Sequence, residues 1–103
     1  MKTSEPLRIV GLAWYLEQDY DLLKSIFIDG DRLPATFDKW EKKAEELRKS
    51  RLAQGEVVVK AHINPRAFPA WCAAHGKNVD ASGRMAYANS VAAEYARNLQ
   101  KNR

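Results

Sequence analysis

Residues 7–15 read Leu-Arg-Ile-Val-Gly-Leu-Ala-Trp-Tyr, and residues 56–63 read Glu-Val-Val-Val-Lys-Ala-His-Ile. Both stretches are enriched in β-branched and aromatic side chains, which predicts two strands. The first strand is apolar on both alternating faces, so we expect both of its faces to be covered. The second strand places Lys60 and His62 on one, more polar face.

Two helices are predicted after each strand, because apolar residues recur at helical spacing in four segments. These segments are residues 19–28, 35–52, 65–75 and 81–99. Gly30, Gly55 and Gly76 follow three of them and fit the left-handed position at which many helices end.

The two halves of the chain resemble each other around Gly30 and Gly76. Residues 30–36 and 76–82 share a glycine, two polar residues, an aliphatic residue, a proline or aspartate, an alanine and a hydroxyl residue. The glycine stops one helix and the aspartate or proline starts the next. The pattern predicts an internal pseudo-repeat.

We therefore predict a single α/β domain over residues 1–103, built from two strand–helix–helix units at 7–54 and 55–103. The chain reverses direction three times between the two strands. For that reason we expect a two-stranded antiparallel sheet covered by four helices, with both helical pairs on one face of the sheet.

The chain has 103 residues and a formal net charge of +4, unevenly spread. The mildly basic half, residues 55–103, permits an anionic partner. The single cysteine cannot form an internal disulfide, which favours a reducing compartment and predicts a cytoplasmic protein. The first residues lack the apolar core of a signal peptide, and no apolar run approaches the roughly 20 residues that span a bilayer, so no membrane partner is expected.

A two-stranded sheet has two free edges and is marginal when isolated. We therefore expect two chains to pair into a homodimer, either by a strand edge or through the face that carries Val10, Leu12 and Trp14.

Aromatic and basic side chains near the strand ends form the first candidate binding site. Trp14, Tyr15, Lys60 and His62 lie on or beside the face that the helices need not cover, and exposed aromatic residues there would mark an interface or a shallow pocket. Arg84 and Tyr87 of the last helix complete this candidate set. The alternative is a sheet face buried by a dimer partner or by Tyr87.

Three soft ligands form the second candidate site. Cys72 and His75 share a helix face, and His62 lies on the preceding strand, so the three side chains are weak candidates for zinc or for a nucleophilic pair. No paired Cys-x-x-Cys motif is present, and Cys72 also fits an apolar stripe beside Trp71. We favour a core thiol and ordinary histidines, with no cofactor and no metal.

Basic residues crowd one side of the second helix and form the third candidate. Glutamates at 41, 45 and 46 interrupt this side, which is typical of a helix stabilised by ion pairs. Nucleic acid would need these charges to merge with Lys60, Arg66, Lys77 or Arg84 into one surface. The basic residues concerned are Lys39, Lys42, Lys43, Arg48, Lys49 and Arg51.

A further pattern runs along nearly the whole chain. It comprises Ala13-Trp14-Tyr15, Tyr20 with Leu23, Phe37 with Trp40, Phe68 with Trp71-Cys72, and Arg84 with Tyr87. In this it resembles a group of short bacterial proteins with a strand ending in an aromatic pair, a Trp-bearing acidic–basic helix and a Trp-Cys helix. The resemblance implies shared packing and no particular activity.

No signature in the sequence names a reaction. We expect a small non-enzymatic module for protein–protein interaction that self-associates through its strands. The alternatives are a nucleic-acid-associated accessory protein, and a small enzyme or zinc site that uses Cys72, His62 or His75.

Overall fold

The computed structural model describes residues 7–101. Two 3-10 turns, Glu17–Asp19 and Gly30–Arg32, flank the first helix. The predicted mixture of helix and strand is confirmed, and the ends of most elements differ from the prediction by a few residues. The strands and α-helices are β1 (Ile9–Trp14), α1 (Tyr20–Ile26), α2 (Phe37–Ala53), β2 (Val57–His62), α3 (Phe68–Ala74) and α4 (Ala81–Lys101).

The two strands pair in parallel, with Ile9 opposite Val57 and Trp14 opposite His62, so the antiparallel prediction was wrong. The reason lies in the unequal lengths of the intervening helices. The 7-residue α1 is about 10 Å long and the 17-residue α2 about 26 Å, against about 20 Å for a 6-residue strand. Only α2 is long enough to return the chain to the starting end of β1, which produces a parallel crossover.

Helices cover both faces of the sheet, which corrects the expectation that the helical pairs share one face. On one face α4 approaches so closely that a Cβ atom on Gly11 would overlap the carbonyl oxygen of Ala88. On the other face α2 brings Trp40 to 5.2 Å from Trp14, measured between ring centroids. The two-stranded sheet is therefore the middle of three layers.

The core is largely aromatic and lies at the carboxyl end of β1. Leu23 and Cys72 are completely buried within it. Because α1, α2 and α3 all contribute side chains here, this cluster holds the helices to the sheet. Its aromatic members are Trp14, Tyr15, Tyr20, Phe27, Trp40 and Phe68.

The glycines at the predicted helix ends have two different roles. Gly55 and Gly76 have φ angles of 86° and 66°, the left-handed conformation that the sequence predicts for them. Gly30 instead has no positive φ, and a Cβ atom there would overlap the carbonyl oxygen of Lys24. The two similar corners thus require glycine for different reasons, one for backbone conformation and one for close packing.

Candidate functional site

The aromatic pair of the first candidate site lies inside the protein. Trp14 and Tyr15 are each 4% exposed. The Tyr15 ring centroid lies 4.6 Å from that of Trp40 and 5.8 Å from that of Phe27. These rings therefore stabilise the core, and Trp14 with Trp40 also forms part of the wall of an apolar cavity.

Lys60 lies on the sheet face that α2 covers. Its Nζ lies 4.5 Å from the ring centroid of Trp14, a cation–π contact, and 3.9 Å from a carboxylate oxygen of Glu45. Lys60 is thus engaged within the molecule, although its side chain remains partly exposed.

His62 and Tyr87 meet at the end of β2. The Tyr87 hydroxyl donates to the backbone carbonyl of His62 at 3.2 Å, while the Tyr87 ring packs edge-on against Trp71. The His62 side chain is exposed. The hydrogen bond joins α4 to the end of β2 through the backbone of His62, and the imidazole of His62 takes no part in it.

Arg84 forms an ion pair with Asp29 and does not contribute a free charge to a basic surface. Its guanidinium donates two hydrogen bonds to the Asp29 carboxylate, at 2.8 and 2.9 Å, and lies 4.5 Å from the ring centroid of Phe27. Hydrogen bonding from Arg84 holds the pKa of Asp29 below its usual range. Burial raises the pKa of the neighbouring Tyr15 to about 12, although the Arg84 charge opposes the shift. Arg84 thereby joins the start of α4 to the chain segment after α1.

The three soft ligands of the second candidate site do not converge. Cys72 is completely buried and burial raises the pKa of its thiol, whereas His62 and His75 are exposed. The His75 ring stacks on Trp71 at 4.0 Å between centroids, and its Nδ1 lies 2.8 Å from the Trp71 carbonyl oxygen. Among residues 7–101, no three histidine, cysteine or acidic side chains come together as metal ligands.

A basic cavity of about 530 Å³ lies between the second 3-10 turn and α2. Three lysines of α2, Lys39, Lys42 and Lys43, line it together with Arg32 from the turn and with Glu46. The spacing of the lysines along α2 is visible in the sequence. The contribution of Arg32 is not, because the bend at the turn brings it against the helix.

An apolar cavity of about 320 Å³ adjoins the basic one, and Pro34 and Lys43 line both. Its walls also include Leu12 of β1 and Leu47 of α2. We call the two cavities together the α2 groove. The groove is basic at the end near the turn and apolar at the end near β1.

The basic residues of α2 divide into paired and unpaired sets. Arg48 binds Glu45 at 2.7 Å, and Arg51 lies 3.5 Å from Glu56. Within the described part of the chain, no carboxylate lies within 4.0 Å of the four cations that line the α2 groove. Over residues 7–101 these four cations therefore have no ion-pair partner, although Glu46 lines the same cavity.

No protein-family model, curated protein or solved structure matches this chain. The resemblance to short bacterial proteins therefore stays a prediction. Over residues 7–101 no helix combines the length and the apolar character required to cross a membrane.

Proposed function

We propose that this protein is a small, non-enzymatic interaction module that self-associates through the outer edge of β1. The observation that supports the proposal is the sheet itself. Within residues 7–101 it has two strands, so β1 has a strand partner on one side only. From Ile9 to Trp14 the strand carries no charged side chain. Uncharged free edges of this kind are sites where a further strand adds.

The ladder hydrogen bonds identify the backbone groups of that edge. The N–H of Val57 donates to the Arg8 carbonyl at 2.8 Å, and the N–H of Ile63 donates to the Trp14 carbonyl at 3.0 Å. Because backbone groups alternate along a strand, the N–H and C=O of Ile9, Gly11 and Ala13 point away from β2. Two copies paired antiparallel about a twofold axis would form one four-stranded sheet.

The outer edge of β2 is less suited to this role. The same alternation directs the backbone of Val58, Lys60 and His62 outward. Lysine at a strand edge opposes pairing, and a twofold axis would bring like charges close together. We therefore assign self-association to β1.

Burial of Cys72 supports the non-enzymatic part of the proposal. A cysteine nucleophile reacts as the thiolate, and burial raises the pKa of this thiol, which disfavours that form. The side chain is also completely buried, so a substrate has no access to the sulfur.

Light scattering over a concentration series tests self-association, with Ile9→Pro as the disrupting variant. Proline at position 9 removes an outward N–H and leaves the ladder to β2 intact. We expect a dimer for the unmodified protein and a monomer of unchanged helix content for Ile9→Pro. The matched control, Lys60→Pro, removes an outward N–H from β2 and should remain dimeric. A monomeric unmodified protein at high concentration, or a dimeric Ile9→Pro variant, would contradict the proposal.

A further inference from the structure

We infer that the α2 groove binds an acidic peptide segment that carries an apolar side chain beside its carboxylates. This site goes beyond self-association, although it adjoins the β1 edge. Pairing at β1 involves the backbone of Ile9, Gly11 and Ala13, whereas the groove is lined mainly by side chains of α2 and of the segment around Pro34, with Ala13 shared between the two sites.

The basic end of the groove selects for several negative charges in a short span. Lys39 and Lys43 are four residues apart on α2, about 6 Å along its axis, and Arg32 faces them from the turn. Successive carboxylates of a peptide have comparable spacing. Because none of these cations lies within 4.0 Å of a carboxylate of residues 7–101, not even that of Glu46 in the same cavity wall, a ligand carboxylate breaks no ion pair of that part of the chain when it binds.

The apolar end of the groove selects for a hydrophobic side chain next to those carboxylates. Leu47 is 47% exposed at its rim, and Leu12 and Ala44 are only partly buried. The adjoining cavity of about 320 Å³ can hold a leucine or phenylalanine side chain. Covering Leu47 would remove apolar surface from water, which favours binding.

Nucleic acid fits the groove less well than a peptide. Single strands bind through aromatic faces on which bases stack, but Trp14 and Trp40 are 4% and 8% exposed. The four cations of the groove do not continue into a charged track through Lys60 or Arg84, because each of those two is engaged with a carboxylate. The chemistry therefore favours an acidic peptide.

Fluorescence anisotropy with a labelled peptide of glutamates around one leucine tests the site. We expect salt-sensitive binding that weakens at least about tenfold in the double variant Lys42→Glu, Lys43→Glu. Lys49→Glu is the matched control, since Lys49 lies on the same helix outside the groove, and it should change the affinity little. The same peptide with glutamine in place of glutamate should not bind.

A second pair of variants tests the apolar end. Leu47→Asn should weaken peptide binding several-fold, because the leucine of the peptide loses its contact. Leu52→Asn serves as the control, since Leu52 is 46% exposed on the same helix and does not line the groove. Circular dichroism of all the variants should show unchanged helix content.

Three results would overturn the inference. The first is that the peptide does not bind, and the second is that the double variant (Lys42→Glu with Lys43→Glu) and the control Lys49→Glu weaken binding equally. The third is that an oligonucleotide binds through the groove more tightly than the peptide. Light scattering on the same variants keeps the two proposals separate. Loss of dimerisation in Ile9→Pro with peptide binding intact supports both. A monomeric unmodified protein that still binds the peptide contradicts self-association alone.

Discussion

Arg84 shows how much one side chain can determine at the scale of the residue. It connects to Asp29 across 55 positions of sequence, and the two side chains are 12% and 21% exposed. An ion pair this far from solvent is screened less than a surface pair, and both hydrogen bonds are charge-assisted. Phe27 beneath the guanidinium adds a cation–π contact.

Replacing Arg84 should therefore destabilise the fold. We expect Arg84→Ala to lower the free energy of unfolding by about 2–3 kcal/mol, because the Asp29 carboxylate loses both hydrogen bonds. Arg84→Lys should recover only part of this, since an ammonium cannot reproduce the paired geometry. Urea denaturation measures the effect. Arg97→Ala is the control, and it should cost less than about 1 kcal/mol because its pair with Glu94 is exposed.

The same ion pair makes stability depend on pH. The pKa of Asp29 is lower in the folded protein than in the unfolded chain, so its carboxylate stabilises the fold above the ordinary aspartate pKa of about 3.9. That contribution is lost as the pH falls below 3.9 and through the lower folded value. Denaturation at a series of acidic pH values should show a shallower decline for Asp29→Asn than for the unmodified protein. Identical pH profiles would mean that Asp29 is not stabilised by Arg84.

Trp14 and Tyr15 show where sequence reasoning reaches its limit for a single residue. Their position at the end of an apolar strand was visible, and the sequence left open whether they formed an interface or a buried face. The outcome depends on Tyr20, Phe27 and Trp40, three rings from different parts of the chain that all pack against Tyr15. The periodicity of apolar residues within one strand or helix carries no information about which side chains from other elements will pack against it.

Between elements, α4 approaches β1 closely enough to leave no room for a side chain at Gly11. Gly11 permits it, since the backbone of Ala88 occupies the space that a side chain would need, and Ala92 lies beside it. Small residues on both elements thus determine how near the helix can lie to the sheet.

Gly11→Ala should consequently lower stability by about 1–3 kcal/mol or more, because the added methyl group forces α4 away from the sheet. Thermal or urea denaturation gives the magnitude. Gly55→Ala is an informative comparison. Nothing lies within 4 Å of its added Cβ, and the φ of 86° alone should cost about 1–2 kcal/mol. A Gly11→Ala variant as stable as the unmodified protein would show that α4 can shift without cost.

The number and order of the helices and strands were predictable, but the direction of pairing was not. Apolar spacing located every strand and helix, because that signal is local. Whether β2 runs with or against β1 depends on α1 being too short and α2 long enough to cross the sheet. Counting how often the chain reverses direction assumes that α1 and α2 are equally long, and the antiparallel prediction was wrong because they are not.

At the scale of the whole molecule, the two surfaces proposed for binding differ in chemistry. The β1 edge is uncharged, whereas the α2 groove combines a group of four cations with an apolar end. The sequence indicated a basic side on α2 and a possible role for the strands. The sequence did not predict that Arg32 lines the same cavity as Lys39, Lys42 and Lys43, because these residues come together only when the chain bends at the second 3-10 turn.

The placement of α4 also determines when the protein can finish folding. β1 is synthesised well before residues 81–101, which cover its Gly11 face. The nascent chain therefore carries an apolar strand with this face uncovered until α4 has emerged from the ribosome, and chaperones can reach the strand during that interval. The native packing of β1 is complete only once α4 is available to cover it.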